Sequence, residues 1–327
     1  MLGSTQFNSR RSHKLQAPGW EQPMFSWVRR EGLRERVCAV DPVANWRWQN
    51  PLDATAFEHL EETLNDESTA EVSQGLKLLS FNIQVGIKTT AYRQYLTNGW
   101  KHLLPHFDRA RNLQKIAKLI CAYDVVGLQE VDGGSLRSGF VNQVEFLAQM
   151  AGFPYWYAQL NRDLGLLAQH GNGLLSRVSP LDLHDHKLPG AIPGRGAVFM
   201  RLPFGESEEL LVVMLHLSLG ERSRQQQLAY IAEQVADEKN VVLMGDMNTS
   251  ATVLMEESPL KSLSLQTGEL SQPTYPAWQP RTTLDHVLVT PSVSVQDYQV
   301  LDCQVSDHLP VSVEVAPTMA PPNAVIQ

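Results

Sequence analysis

Cysteine is scarce in this sequence, with three in 327 residues: Cys38, Cys121 and Cys303, none in CxxC spacing. That excludes a disulfide framework and a thiolate zinc cage, so all three read as simple thiols, with Cys121 placed where a helix would bury it. Long apolar runs are missing too. No stretch supplies the ~20 consecutive apolar residues of a spanning helix, and "MLGSTQFNSRRSHKLQAPGW" lacks the apolar region of a secretory signal. These absences predict a soluble chain, with the cytoplasm as its default location. Positive charge is in deficit: 27 Lys and Arg against 35 Asp and Glu give a formal charge of -8. A broadly basic surface for gripping nucleic acid is therefore disfavoured, while a local cationic rim or a bound metal could still attract phosphate. Repeats and low-complexity blocks are absent, which excludes a solenoid.

What is present is a hydrophobic content of 43%, enough to bury a large core in one α/β domain with an appendage, or in two domains. From "LKLLSFNIQVG" onward, short β-rich runs alternate with amphipathic stretches. The runs are "LKLLSFNI", "DVVGLQEV", "GNGLLSR", "GAVFMRLP", "ELLVVMLHLS", "VVLMGDMN", "LDHVLVT" and "LPVSVEV". "DRARNLQKIAKLICAY" sets Ala110, Leu113, Ile116, Ala117 and Ile120 on one helical face. "ERSRQQQLAYIAEQVADE" does the same with Leu228, Ile231 and Val235. Strands this numerous with few helices between them predict two stacked sheets flanked by helices.

The first 75 residues read as a separate extension and residues 318–327 as a tail, leaving 76–317 as the catalytic candidate. Basic residues outnumber acidic ones over residues 1–40, alongside Trp20, Phe25 and Trp27, and "EETLNDESTAEVSQG" reads as a linker or solvated helix. Such an arm suits peripheral contact with an anionic membrane, or packing on the catalytic domain. No obligate protein partner is evident.

Polar residues recur at the tips of the β-rich runs: Asn82, Glu130, His216, Asp246 with Asn248, Asp285, and Asp307 with His308. Each alone has an ordinary structural role, as a turn, a loop cap or a core histidine. As a set, carboxylates and carboxamides without thiolate suit a hard cation such as Mg²⁺. The "HDH" of His184 to His186 reads as polar residues on a strand's open face rather than as a zinc site.

The order "SFNIQVG", "VVGLQEVD", "HGNGLLSR", "VVMLHLS", "VVLMGDMNTS", "LDHVLV", "VSDHLPV" resembles the endonuclease/exonuclease/phosphatase (DNase I-like) superfamily over about residues 76 to 317. The resemblance implies a four-layered α/β sandwich of two mixed β-sheets flanked by helices, and a Mg²⁺- or Mn²⁺-dependent phosphoesterase. It makes Glu130 the principal metal ligand, with Asn82 and Asp307 beside it. Asp246 would orient or deprotonate the attacking water, and Asn248 would hold a phosphoryl oxygen. His308 would contact the scissile phosphate, oriented by Asp285, and His216 would donate to the phosphoryl group. His286 stands where many relatives carry an aromatic; on a strand it faces away from Asp285, so it reads as structural.

His216 separates the chain from the abasic-site endonuclease branch. No basic stripe with interleaved aromatics is present, as a single-strand nucleic-acid binder would carry. A phosphodiesterase acting on a lipid head group or small phosphodiester therefore ranks ahead of a DNA or RNA nuclease. A non-catalytic phosphate-binding protein ranks third, because every polar position is filled.

Overall fold

The computed structural model describes residues 75–87, 89, 107–190, 194–268 and 272–318. Residues 1–74 and 319–327 lie outside the described residues, as therefore do Cys38, the arm, most of the acidic stretch and nearly all of the tail. Among the described residues the strands are β1 (Leu76–Asn82), β2 (Val125–Asp132), β3 (Tyr155–Asp163), β4 (Gln169–Ser176), β5 (Asp182–Lys187) and β6 (Gly196–Phe204). They continue with β7 (Glu208–His216), β8 (Val241–Asp246), β9 (Asp285–Val289), β10 (Val293–Val300) and β11 (Val311–Pro317). The α-helices are α1 (Phe107–Ile120), α2 (Gln143–Ala151) and α3 (Glu221–Val235).

One sheet runs β10-β11-β1-β2-β4-β3 and the other β5-β6-β7-β8-β9. β1 pairs parallel with β2, and β7 with β8, while the other pairings are antiparallel. The inner strands are apolar throughout because both of their faces are covered. Along β1, Leu78 enters the core between the sheets, while Leu79 and Phe81 pack under α1 and α2. Along β7, Leu210, Val212 and Met214 face the other sheet, and Leu211, Val213 and Leu215 pack with Leu228, Ile231 and Val235 of α3. Helix, sheet, sheet and helix thus form the four layers the sequence predicts.

Ala110 departs from the expected helical face, since it is exposed. The buried stripe of α1 begins instead at Arg109 and Asn112, which pack against Gly86, and continues through Leu113, Ile116, Ala117 and Ile120. Cys121 also differs: it lies just past α1, half-buried, with its Sγ donating to the Lys118 carbonyl (3.0 Å). Cys121 and Cys303 are both thiols.

This topology brings the site residues to one edge. Parallel pairing puts the ends of β1 and β2 together and the ends of β7 and β8 together. Antiparallel β9 and β11 then begin where those strands end. His216 lies opposite Asp246 in the ladder, and Asp246 opposite Asp285. Gly245, at φ 148, makes the approach of β8 to β7 feasible, because a Cβ there would sit 1.9 Å from the Leu215 carbonyl oxygen. No helix of the described residues is long and apolar enough to cross a membrane.

Candidate active site

Asp246 is the hub of the edge. Its Oδ2 accepts from Asn82 Nδ2 (3.1 Å) and lies 3.5 Å from His216 Nε2 and 3.9 Å from His308 Nε2. Its Oδ1 accepts the Asn248 N–H (3.1 Å), closing a tight turn in which Asn248 takes φ 52. Asn248 Nδ2 donates to the Leu217 carbonyl (2.9 Å), which joins the turn to the end of β7.

His308 is fixed from behind. Its Nδ1 donates to Asp285 Oδ2 (2.8 Å), the same oxygen that accepts from Thr274 Oγ1 (2.6 Å). The Tyr275 ring packs on the imidazole at 4.9 Å between centroids. The 306–308 loop is tied to β1 by Ser306 Oγ donating to the Asn82 carbonyl (2.7 Å), and to the 272–284 segment by Ala277 N–H donating to the Asp307 carbonyl (2.7 Å).

Glu130 is placed by a β-bulge. The register of β2 against β4 shifts between Leu128 and Val131, and Glu130 takes φ 55, a left-handed conformation that costs a non-glycine residue roughly 1 kcal/mol. The bulge turns its carboxylate toward the Asn82 carboxamide and the Asp307 carboxylate.

Burial raises the Glu130 pKa, Asp307 raises it further, and His308, Arg195 and Asn82 oppose. Burial also takes Asp246 up to about 7, with Asp285 and Glu130 adding and His308 and Asn82 opposing. For His308 desolvation favours the neutral ring, but Asp285, Asp246 and Asp307 outweigh it and hold the imidazole well above its ordinary value. His216 moves the opposite way, well below its ordinary value, through burial and the charges of Arg195, His308 and His170. The edge therefore holds an imidazolium and a neutral imidazole side by side.

Among the described residues, the carboxylate and imidazole groups that gather closely enough to hold an ion are Asp246, Asp285 and His308. Hydrogen bonding engages that set in part: Asp285 Oδ2 carries two bonds and its charge is balanced by the imidazolium, while Asp285 Oδ1 is buried without a hydrogen-bond partner. Asn82, Glu130 and Asp307 fit a cation better. They pair half-buried Glu130 and buried Asp307, which repel one another, with a carboxamide whose Nδ2 faces the carboxylates while its Oδ1 accepts from Gln84 N–H (3.1 Å), and one hard divalent ion would relieve the repulsion. His184 and His186 do not join any such group: His184 Nε2 sits on exposed Asp182 (2.6 Å), and His186 Nδ1 on Tyr230 Oη (2.7 Å). His286 is buried, with Nε2 on the Thr249 carbonyl (2.7 Å), away from Asp285.

Arg195 is a site residue that the sequence did not single out. Its guanidinium makes a short contact with His216 Nε2, and the charges of Glu130 and Asp246 act on it. A guanidinium only donates, so His216 Nε2 is the acceptor here, and the donor facing the site is Arg195. Nothing local marks it, since "GRGAVFM" reads as any surface arginine before a strand. Thr274 and Tyr275 were also unmarked, although the crowding of Pro, Tyr and Trp in "QPTYPAWQP" was a signal of an ordered loop.

A model of the endonuclease/exonuclease/phosphatase family matches residues 79–308. The uncharacterized protein YbhP of Escherichia coli K12 is 27% identical over 255 residues, covering 73% of this chain and 95% of YbhP. Among solved structures, an endonuclease/exonuclease/phosphatase from Beutenbergia cavernae aligns with a TM-score of 0.56 at 20% identity, over 74% of this chain and 72% of that one. A mannosyl-6-phosphatase from Bacteroides thetaiotaomicron aligns with a TM-score of 0.54 at 17% identity, over 74% of this chain and 99% of that one. The fold, the matched span and the polar edge agree: this chain belongs to the endonuclease/exonuclease/phosphatase family, a family of phosphoester hydrolases.

Proposed function

We propose that the chain is a divalent-metal-dependent phosphodiesterase that hydrolyses a phosphoester by in-line attack of water, acting on a lipid head group or a small phosphodiester. The observation that carries this reading is the convergence of Asn82, Glu130, His216, Asp246, Asn248, Asp285, Asp307 and His308, from both sheets, on one buried edge.

Phosphodiesters resist attack because their anionic oxygens repel the nucleophile, so catalysis consists largely of absorbing negative charge and aligning water. Glu130, Asn82 and Asp307 would hold Mg²⁺ or Mn²⁺, which when bound supplies positive charge against the phosphoryl oxygens. Asp246, raised to about 7 by burial, suits a group that orients water and takes its proton near neutral pH. His308, kept as an imidazolium by Asp285, gives a charge-assisted donor for the scissile phosphate. Asn248 keeps one N–H for a phosphoryl oxygen while the other holds Leu217. Neutral His216 orients Arg195, which adds a second cationic donor.

Purified protein with Mg²⁺, Mn²⁺ or EDTA should be given plasmid DNA, RNA, phospholipid micelles and a chromogenic phosphodiester, with Glu130→Ala as the blank. Metal-dependent cleavage of the chromogenic and lipid substrates is expected. Rapid DNA nicking would reverse the substrate order, and turnover in EDTA would remove the mechanism.

A further inference from the structure

Exposed apolar residues gather beside the site. Among the described residues seven large hydrophobic side chains are exposed, and five of them, Phe140, Leu160, Leu164, Leu166 and Leu167, lie on two touching segments. One is the β3–β4 hairpin and the other the 133–140 loop that continues β2 past Glu130. Leu136 N–H donates to the Leu166 carbonyl (2.7 Å), Gly133 N–H to the Gln169 carbonyl (3.1 Å), and the Leu160 side chain lies over Gly133. A sixth, Leu219, stands three residues past His216. Leu166 is 76% exposed and Leu167 59%. Phe140 combines 60% exposure with φ 63, a conformation an aromatic residue adopts at a cost.

The charge around this tip differs from that of the whole chain. The ionisable residues of segments 133–140 and 160–170 are Arg137, Arg162, Asp163 and His170. Asp163 is engaged by the Gly165 N–H of its own turn (2.8 Å). Arg162 packs over Gly194, where a Cβ would come within 3.2 Å of the Arg162 Cβ, and so stands next to Arg195. Arg137, Arg162 and Arg195 all act on His170, which lies in register opposite both Asp132 and Arg162. Arg137 is buried and its charge is met by Asp132, so the cationic groups beside the apolar tip are exposed Arg162 and half-buried Arg195, in a chain whose formal charge is -8.

We infer that the β3–β4 hairpin tip and the 133–140 loop are a docking surface for an anionic phospholipid bilayer, which seats the site mouth at the head-group layer. This deepens the phosphodiesterase reading, and rests on it for the lipid substrate. Leucines and a phenylalanine enter the acyl boundary, while the exposed Arg162 behind them meets lipid phosphate. Nucleic acid fits poorly, because it asks for stacking aromatics along a basic groove rather than a leucine tip.

The test uses the full chain, sedimented with vesicles of mixed phosphatidylglycerol and phosphatidylcholine. Leu166→Asp/Leu167→Asp and Arg162→Glu are compared with Leu181→Asp, an exposed leucine ahead of β5. Wild type and Leu181→Asp are expected to co-sediment, and the hairpin double variant to lose about tenfold or more of its vesicle affinity. Arg162→Glu is expected to weaken binding as the phosphatidylglycerol fraction rises. Turnover of a soluble chromogenic phosphodiester should be the same in every variant, which also reports folding. Absent wild-type binding, equal binding by the hairpin variant, or a wild-type dimer that the hairpin variant dissolves would each overturn docking. Docking without turnover of any phosphodiester would leave this surface standing and remove the enzymatic reading instead.

Discussion

The Asp285–His308 pair is 0% and 6% exposed, so its charges interact with little screening from water. Replacing Asp285 by Asn keeps the shape and the reach to Thr274 but removes the charge that holds the imidazolium. Lowering the His308 pKa moves the alkaline limb of the kcat/KM profile to lower pH, and kcat at pH 8 should fall about 100-fold. An unmoved limb would show that His308 does not act as a cation. Stability follows the same linkage. The folded His308 pKa is raised above the unfolded value of about 6.5, so the pair's contribution is full below that value and is lost as pH rises through the folded one. Asp285→Asn should therefore destabilise more at pH 6 than at pH 9, as read by urea denaturation at each.

At the scale of elements, the β2 bulge trades stability for placement. Glu130 sits in left-handed backbone and faces another carboxylate, so Glu130→Gly relieves both strain and repulsion. Its metal-free unfolding free energy should rise by about 0.5–1 kcal/mol while turnover disappears. A destabilised glycine variant would show that the bulge is not strained. Just beyond, Asp132 organises the 133–138 loop. It accepts from Gly134 N–H (2.9 Å), Ser135 N–H (2.7 Å), Ser135 Oγ (2.7 Å) and Ser138 Oγ (2.8 Å), and pairs with Arg137. Burial alone would raise its pKa, but these donors outweigh burial and hold it at about 2. The resulting stabilisation is present above about pH 4 and lost as pH falls toward 2, so Asp132→Asn should cost about 2–3 kcal/mol in neutral urea melts. Inner strands such as β7 and β8 were legible in the sequence because burial on both faces writes a continuous apolar run. β3 and β10 were not, since as the two edges of their sheet they carry mixed residues like "YWYAQLNRD". Helix α2 is nine residues, too short for a clear period, and shows itself chiefly through its Asn142 cap. The site was legible where polar residues end apolar runs. It was not where a partner arrives from elsewhere in the chain, as Arg195 reaches His216 and Thr274 reaches Asp285.

Taken whole, the molecule is two sheets joined by polar links, Asn82 to Asp246, His308 to Asp285 and Asn172 to the Gly196 carbonyl among them. The candidate metal ligands all belong to the six-stranded sheet but to separate segments of it, with Asn82 on β1, Glu130 on β2 and Asp307 on the loop before β11. A cation held by all three would bridge separate segments of the chain and discharge the Glu130–Asp307 repulsion, so it would bind the folded state and not the unfolded one. At 100 times its dissociation constant such an ion stabilises by about 2.7 kcal/mol. Thermal unfolding should therefore cross over. In EDTA, Glu130→Ala melts at or above wild type, because the repulsion with Asp307 has gone while the left-handed backbone is unchanged. In saturating Mg²⁺, wild type rises by several degrees and the variant barely moves. Parallel responses of the two proteins to Mg²⁺ would place the ion away from Glu130, and the three-residue ligand set would have to be abandoned.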